Sequence, residues 1–344
     1  MRIPGRSVRS VTTIGRGGQA VLIQVKRAAG LSLGMPGTAP AAVRSTAFLL
    51  LALAALMWAS NWVTGRALRE AFQPVMLNFI RWLVASLVLA PFCWHRLRGK
   101  GAVLRRDAGI LLLLSLLGVA IFQCFVYVGL QTTETVNAVL LNSSLPLFMM
   151  LCSWAIERER AGIRQVAGML VSFLGIVAIV LRGDPARLVH FEFHAGDAWI
   201  LAAMPVWGVY SVLLKRRPAE LDGMAFLFVI AMLGTAMLAP AMLLEASHKP
   251  PRLPTPGEAA AAVYLGIAAS VVAFWAWNKG VALVGPNTAG FTLHLLPLFG
   301  TALAMVFLGE RFHVFHAVGF ATILAGVILA TRAPAPASSP RPRA

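Results

Sequence analysis

Charged side chains are scarce in this chain of 344 residues. Lys, Arg, Asp and Glu together make up 12% of it, and 58% of the residues are hydrophobic. A soluble domain normally carries about 25% charge, so there is too little polar surface here to cover a soluble globule. Several apolar stretches reach the roughly 20 residues that a bilayer-spanning helix needs. The composition therefore predicts an all-α integral membrane protein in the lipid bilayer.

Acidic residues are the rarer charged type, with 13 Asp and Glu against 30 Lys and Arg. None lies in the middle of an apolar stretch, which argues against a carboxylate relay for protons. No nucleophile, acid–base set or metal-ligand spacing stands out, so an intramembrane enzyme, a metal site and a cofactor are not expected. A channel-like ring of charges or filter segment is also missing.

Cysteines are few, and all three lie in or beside apolar stretches, at Cys93, Cys124 and Cys152. An odd number there argues against a disulfide framework and favours a role as small apolar side chains that fill space.

The net charge of +17 comes mostly from short connections between apolar stretches. Because no nucleic-acid-binding motif accompanies it, nucleic acid is not an expected partner.

Ten apolar segments alternate with short connections, and each is predicted to be a membrane-spanning helix. Residues 1–46, which are basic and rich in Gly and Ser, are predicted to be an unstructured extension, with Met35 as an alternative start; an organelle transit peptide is the other interpretation. Residues 333–344 are predicted to be an unstructured tail. Basic residues cluster after the second and sixth segments, which places both termini in the cytoplasm. The segments are 46–66, 75–94, 108–129, 136–156, 163–181, 197–214, 224–244, 259–279, 287–308 and 315–332.

The fourth and ninth segments share one layout: Leu-Pro-Leu-Phe, an apolar run and then Glu-Arg. Pro297 follows Pro146 by 151 residues, and the two Glu-Arg pairs keep the same offset. The chain is therefore predicted to be a duplication, with copies at 47–182 and 197–332. Five helices is an odd number, so the second copy enters the membrane upside down. Ten transmembrane helices in two inverted five-helix repeats are typical of secondary transporters, which bind substrate where the copies meet.

Pro146 and Pro297 are predicted to kink their helices, because proline lacks a backbone donor and clashes with the preceding turn. The freed carbonyl group needs a partner in the protein or in cavity water. Asn142 precedes Pro146 by four residues, and His294 precedes Pro297 by three. Both polar residues are therefore candidates for a cavity, and the alternative is a tolerated kink without substrate contact.

Residues 48–332 resemble the drug/metabolite transporter superfamily, in particular its EamA-like members with two EamA domains. The resemblance implies a central cavity built from helices 1–4 and 6–9, helices 5 and 10 outside it, and transport of small metabolites by alternating access. Extra arginines around the first Glu-Arg pair and the basic extension depart from the family pattern. The resemblance is carried by "MWASNWVTGRAL" from Met57, the arginine of "NFIRW" (Arg81), the two Pro-to-Glu-Arg blocks, and the glycine pairs Gly168/Gly175 and Gly319/Gly326.

Aromatic and hydrogen-bonding residues recur at helical spacing on one face of predicted helices 1 and 6. This combination suits an organic substrate with apolar and polar parts. The alternative is helix packing or, for Trp62, a position at the membrane interface. The candidate substrate-binding residues are Trp58, Asn61 and Trp62 in helix 1, and Trp207, Tyr210 and Ser211 in helix 6.

Arg81 lies inside predicted helix 2, where a charge is costly and normally faces protein or water. It is a candidate for binding a substrate carboxylate or phosphate group. The alternatives are a side chain that reaches the membrane surface or one that pairs with helix-end carbonyl groups. Further substrate-binding candidates are Gln123 and Tyr127 in helix 3, Asn278 in helix 8 and His294 in helix 9, where a proton relay and a neutral buried role both stay open.

These features predict a secondary transporter, not an enzyme, that moves a small organic, amino-acid-like metabolite across the inner cell membrane, as an exporter. The nearest alternative is a phosphate-ester or nucleotide-sugar exchanger, which would need several intramembrane Lys or Arg. The paired glycines of helices 5 and 10 allow close packing within one chain or between two. A homodimer through these helices is therefore one of two open arrangements.

Overall fold

A computed structural model describes residues 41–133, 135–184, 186, 192–308 and 313–332. These residues form ten membrane-crossing elements without a β-strand among them, which confirms the predicted all-α membrane fold. Nine of the described helices are long and apolar enough to span a bilayer. The elements are α1 Ala41–Ala67, α2 Pro74–Cys93, α3 Ala108–Thr132, α4 Thr135–Asn142 with Leu145–Glu157, α5 Ile163–Val180, α6 Ala195–Leu213, α7 Gly223–His248, α8 Pro256–Val284, α9 Pro286–Phe291 with Thr292–His294 and Leu295–Leu308, and α10 Val314–Arg332.

Helix α1 begins at Ala41, inside the segment predicted to be an unstructured extension. The Arg44 guanidinium donates to the Thr331 carbonyl oxygen at 3.0 Å, which ties this first turn to the end of α10. Residues 1–40, the predicted tail 333–344 and the Glu310–Arg311 pair lie outside the described residues.

The second helices of the two repeats, α2 and α7, run antiparallel and are joined at both ends. At one end the Glu245 carboxylate of α7 accepts from the backbone N–H groups of Val75 and Met76, at 3.1 and 2.8 Å. These N–H groups have no partner within their own helix, and the helix N-terminus favours negative charge. At the other end Arg96 pairs with Asp222 at 3.3 Å. Equivalent helices of the two copies therefore point in opposite directions, as the inverted repeat requires.

Helices α5 and α10 pack closely through glycines at repeat-equivalent positions. A Cβ atom on Gly168 would lie 2.6 Å from the Gly326 carbonyl oxygen, and one on Gly175 would lie 2.7 Å from that of Gly319. Only glycine allows this approach of two backbones. The small-residue faces thus meet within one chain, while Leu174 of α5 points outward with 63% exposure. A homodimer through α5 and α10 stays a prediction, and it would use their outer faces.

Both helices that carry the Leu-Pro-Leu-Phe sequence are interrupted just before the proline. Helix α4 breaks after Asn142, and Pro146 lies in the first turn of its second segment. The backbone N–H groups of Leu147 and Phe148 both donate to the Ser144 carbonyl oxygen, at 3.0 and 3.2 Å. The Ser143 carbonyl group is thereby released from the helix. Helix α9 changes to a 3₁₀ turn at Thr292–His294, ahead of Pro297.

Candidate functional site

An aromatic cluster lies where the two repeats meet. The indole rings of Trp58 in α1 and Trp207 in α6, at repeat-equivalent positions, stand edge to face with centroids 5.1 Å apart. Phe274 of α8 packs edge-on against both rings, at 5.7 and 5.5 Å. Phe122 of α3 contacts Trp207 at 4.7 Å. The three edge-to-face contacts have one of the favoured geometries for aromatic pairs, and the Phe122–Trp207 pair is tilted.

A cavity of about 20 Å³ lies against this cluster. That volume holds about one water molecule, so an organic solute requires the walls to move apart. The lining includes six of the predicted substrate-binding residues: Trp58, Asn61, Trp62, Gln123, Asn142 and Trp207. It also includes five residues outside the predicted set: Phe122, Leu145, Phe274, Leu293 and Leu296.

Arg81 does not line the cavity, although it lies directly behind Asn61. Its side chain is fully buried, which excludes the reading that it extends to the membrane surface. Nη1 donates to Asn61 Oδ1 at 3.2 Å and to the Tyr127 hydroxyl at 3.3 Å. Nε donates to Ser270 Oγ at 2.5 Å, and Nη2 donates to the Ala269 carbonyl oxygen at 3.1 Å.

The carbonyl group of Ala269 is available because α8 widens into a π-helical segment, Leu265–Val272. In a π-helix the regular hydrogen-bond ladder is disturbed, and such segments are frequent at functional sites. The same carbonyl oxygen also accepts from Trp58 Nε1 at 3.1 Å. Helix α3 has a π-helical segment at the equivalent place, Leu116–Ile121, where Asn78 Nδ2 donates to the Val119 carbonyl oxygen at 2.9 Å. Helix α2 thus supplies a donor to both widened segments.

Arg81 carries a charge that no described acidic residue neutralises. Within the described ranges no ion pair involves Arg81, and its four acceptors are neutral oxygens. The guanidinium carbon lies 5.6 Å from the Trp82 ring centroid, close enough for a cation–π contact. The neighbourhood therefore holds a buried positive charge.

Tyr210, Ser211 and Asn278 are buried beside Trp207 but do not line the cavity. The Tyr210 hydroxyl donates to Asn278 Oδ1 at 2.9 Å. Within the described residues, Ser211 Oγ and Asn278 Nδ2 have no hydrogen-bond partner. These three predicted site residues therefore form a layer behind the aromatic cluster.

His294 joins the two interrupted helices instead of facing the cavity. Its Nε2 lies 2.9 Å from the released Ser143 carbonyl oxygen, and its Nδ1 contacts Ser172 Oγ of α5. Because a carbonyl oxygen only accepts, Nε2 carries a hydrogen. The Ser172 hydroxyl also donates to the Met169 carbonyl oxygen at 3.2 Å. His294 and Ser143 are separated by 151 residues, so they occupy repeat-equivalent positions. His294 therefore joins α4, α5 and α9.

Buried donors without a partner distinguish the cavity wall chemically. Gln123 Nε2 and Trp207 Nε1 have no acceptor among the described residues, and both side chains line the cavity. A buried donor left unpaired is costly, so a water or a solute with acceptor groups is expected there. In the described part of the chain, no group of three or more His, Cys, Asp or Glu residues is arranged to hold a metal ion. The arrangement suits a solute with an apolar body and hydrogen-bond acceptors.

Comparison with known proteins shows the family. The EamA-like transporter family model matches twice, at residues 45–181 and 194–332. An uncharacterized transporter of Archaeoglobus fulgidus is 30% identical over 295 residues, which cover 84% of this chain and 98% of the relative. The uncharacterized transporter YetK of Bacillus subtilis is 26% identical over 283 residues, covering 82% and 86%.

A third relative carries a more specific name. The "Probable terminal-alkyne amino-acid exporter" of Streptantibioticus cattleyicolor is 29% identical over 293 residues, covering 84% of this chain and 94% of the relative. A crystal structure that covers 83% of this chain and 96% of its own superposes with a TM-score of 0.66 at 24% identity, which shows a shared fold. The chain belongs to the EamA-like transporter family, and it is a multi-pass membrane transporter.

Proposed function

We propose that the chain is a secondary transporter that exports a small, amino-acid-like organic metabolite across the inner cell membrane. The observation that carries the proposal is the aromatic cavity between the inverted repeats, with Trp58 and Trp207 at equivalent positions and 5.1 Å apart. Inverted repeats place the substrate near the membrane midplane, where both copies contact it. The exporting direction and the amino-acid-like cargo are supported by the Streptantibioticus relative, which is named a probable terminal-alkyne amino-acid exporter.

Alternating access requires the cavity to open to each side in turn. Four ion pairs join the α6–α7 connection to the first repeat. We call this set the ionic latch: Lys215–Glu159 at 2.6 Å, Arg216–Glu157 at 2.8 Å, Arg106–Glu220 at 2.8 Å and Arg96–Asp222 at 3.3 Å. Because these connections are rich in Lys and Arg, we assign the latch to the cytoplasmic side. The structure then corresponds to a state closed to the cytoplasm.

The phosphate-ester exchanger receives less support from the same site. A phosphate group is normally bound by several Lys or Arg side chains. Among the described residues, Arg81 is the one buried Lys or Arg. One cation matches a carboxylate in charge, whereas a phosphate monoester carries close to two negative charges at neutral pH.

A ligand screen by thermal shift tests the proposal, because a solute that binds the folded state raises the melting temperature. The panel contains amino acids, nucleosides, sugars, polyamines and phosphate esters. We expect apolar amino acids to raise the melting temperature of the wild type and to have no effect on Trp207→Ala. The matched control is Trp94→Ala, because the Trp94 side chain is 62% exposed and does not line the cavity. A shift by phosphate esters alone would contradict the proposal and favour the exchanger.

A further inference from the structure

The two repeats differ at several positions beside the cavity, and three of these differences bear on its charge and hydrogen bonding. Gln123 of α3 corresponds to Phe274 of α8 at an offset of 151 residues, and Arg81 of α2 corresponds to Ile230 of α7 at an offset of 149. Each of these two differences puts a polar or charged side chain in the first repeat and an apolar one in the second. The cavity wall is therefore polar on one side and apolar on the other.

The third difference lies in a hydrogen bond between residues of the same type. Trp58 Nε1 donates to the Ala269 carbonyl oxygen at 3.1 Å. Its counterpart, Trp207 Nε1, is buried and has no acceptor among the described residues. Among the fully buried donor atoms without a partner in the described part of the chain, two belong to residues that line the cavity: Trp207 Nε1 and Gln123 Nε2.

Asn61 adds a third donor and connects it to Arg81. Its Oδ1 accepts from Arg81 Nη1 at 3.2 Å and from the Tyr127 hydroxyl at 2.8 Å. These two bonds fix the orientation of the amide, so Nδ2 is the end left to donate. No hydrogen bond within the described ranges uses Asn61 Nδ2, and Asn61 lines the cavity. A bond from the guanidinium also polarises the amide and strengthens it as a donor.

Charge at the site has one sign. The lining residues include neither an acidic nor a basic side chain, and Arg81 lies one hydrogen bond behind the wall with no acidic partner in the described part of the chain. In a dry, low-dielectric interior such a charge acts over several ångströms. It attracts a carboxylate and repels an organic cation.

We propose that Asn61 Nδ2, Gln123 Nε2 and Trp207 Nε1 form a carboxylate subsite, with Arg81 as the positioning residue that charges it through Asn61. The aromatic cluster takes the apolar body of the solute. This inference rests on the proposed transport function and narrows its cargo to solutes with a carboxylate, zwitterionic or anionic. Organic cations without a carboxylate are excluded.

Matched probes test the charge preference on the full chain in detergent. One set is leucine, leucinamide and isocaproate; a second is phenylalanine, phenylalaninamide and hydrocinnamate. At about pH 6 the amides are cations, the amino acids zwitterions and the acids anions. We expect the carboxylate-bearing members of at least one set to bind about tenfold or more tightly than the amide, measured by titration calorimetry. Equal or tighter binding of the amides, or no binding of any carboxylate at millimolar concentration, would overturn the inference.

Two variants at equivalent positions assign the preference to named residues. Gln123→Leu removes one donor and should lower the carboxylate-to-amide affinity ratio about tenfold. Phe274→Leu, on the apolar side, should change both affinities by the same factor and leave the ratio unaltered. An unaltered ratio in Gln123→Leu would overturn the subsite. Arg81→Gln should also lower the ratio, and if this variant does not fold, Gln123→Leu still decides.

The transport proposal and the subsite fail in different ways. Reconstituted protein that transports an uncharged or cationic solute, and binds no carboxylate, retains the transport function and loses the subsite. Protein that prefers carboxylates in the binding assay, yet moves none of them across vesicle membranes, retains the subsite and loses the transport function.

Discussion

The Tyr127 hydroxyl of α3 donates to Asn61 Oδ1 of α1 at 2.8 Å. The second repeat contains the same bond with the residue types exchanged. Tyr210 of α6 stands at the position of Asn61, and it donates to Asn278 Oδ1 of α8, at the position of Tyr127, at 2.9 Å. The hydrogen bond between the first and third helices is therefore present in both repeats, although the residue types at both positions differ. Only the copy in the first repeat also binds a buried cation, Arg81.

This difference predicts unequal stability effects for two matched substitutions. Asn61→Leu removes an acceptor from Arg81 and Tyr127, whereas Asn278→Leu removes one from Tyr210 alone. A hydrogen bond to a charged group is worth about 1.5–3 kcal/mol, against about 1 kcal/mol for a neutral pair. We therefore expect Asn61→Leu to lower the free energy of unfolding by about 1 kcal/mol more than Asn278→Leu, measured by thermal denaturation without ligand. Equal losses of unfolding free energy would show that the hydrogen bond from Arg81 to Asn61 adds nothing to stability.

Much of this architecture is predictable from the sequence, because it depends on patterns that persist along the chain. Apolar segment length determines the ten helices, and the 151-residue offset between Pro146 and Pro297 predicts the duplication. An odd number of helices per copy then requires the inversion. Helical spacing also brings Trp58 and Asn61 to the same cavity wall.

Other parts of the site depend on contacts that no local pattern records. Arg81 is recognisable as a buried charge, but its acceptors come from α1, α3 and α8. The sequences of the two π-helical segments have no periodicity of apolar residues that distinguishes them from α-helix. His294 is predicted to face the cavity, whereas the structure directs it to Ser143 and Ser172, because the break before Pro146 releases a carbonyl group there. The place of Phe274 at the cavity is predictable from the repeat, because it occupies the position of Gln123 in the other copy.

The glycine contacts between α5 and α10 give a second prediction. A Cβ atom on Gly168 would lie 2.6 Å from backbone atoms of Gly326 and Ala330, and backbone moves less easily than a side chain. Gly168→Ala should therefore lower the free energy of unfolding by about 1–3 kcal/mol, the usual cost of overpacking. Gly109→Ala is the control, because nothing lies within 4 Å of its added Cβ atom. That variant should be neutral or more stable by up to about 1 kcal/mol.

The ionic latch predicts that charge reversal alters transport and that a compensating reversal restores it. Lys215→Glu and Glu159→Lys, made singly, should each replace attraction between the repeats by repulsion and favour opening on that side. Counterflow into proteoliposomes should change in both single variants and return towards the wild-type rate in the double variant. Raising the salt concentration should reduce the effect of the single variants, because exposed charges are screened.

The Arg252–Glu258 pair serves as the control for the latch. Its two side chains lie 2.5 Å apart, within the α7–α8 connection and the start of α8. Since this pair does not join the repeats, reversing both charges should leave counterflow unaffected. Lys215 and Glu159 variants that behave like this control would show that the Lys215–Glu159 pair does not govern access.

Membrane orientation is predicted from the basic connections. Reporters placed after Arg217 and after Arg252 are separated by α7 and should lie on opposite sides of the membrane. We expect green fluorescent protein to fluoresce after Arg217 and alkaline phosphatase to be active after Arg252, because the α6–α7 connection is assigned to the cytoplasm. Both reporters on one side would contradict the inverted repeat, and an exchange of sides would contradict the assignment of the latch.

Filling the cavity tests most directly whether solute passes between the repeats. Leu296 lines the cavity of about 20 Å³, so Leu296→Phe should occupy the space into which solute enters. Leu87→Phe, at a side chain that is 64% exposed on α2, is the matched control. The measurement is counterflow, in proteoliposomes, of the panel solute that stabilises the wild type most. The account predicts wild-type counterflow for Leu87→Phe and none for folded Leu296→Phe; wild-type counterflow in Leu296→Phe would contradict it.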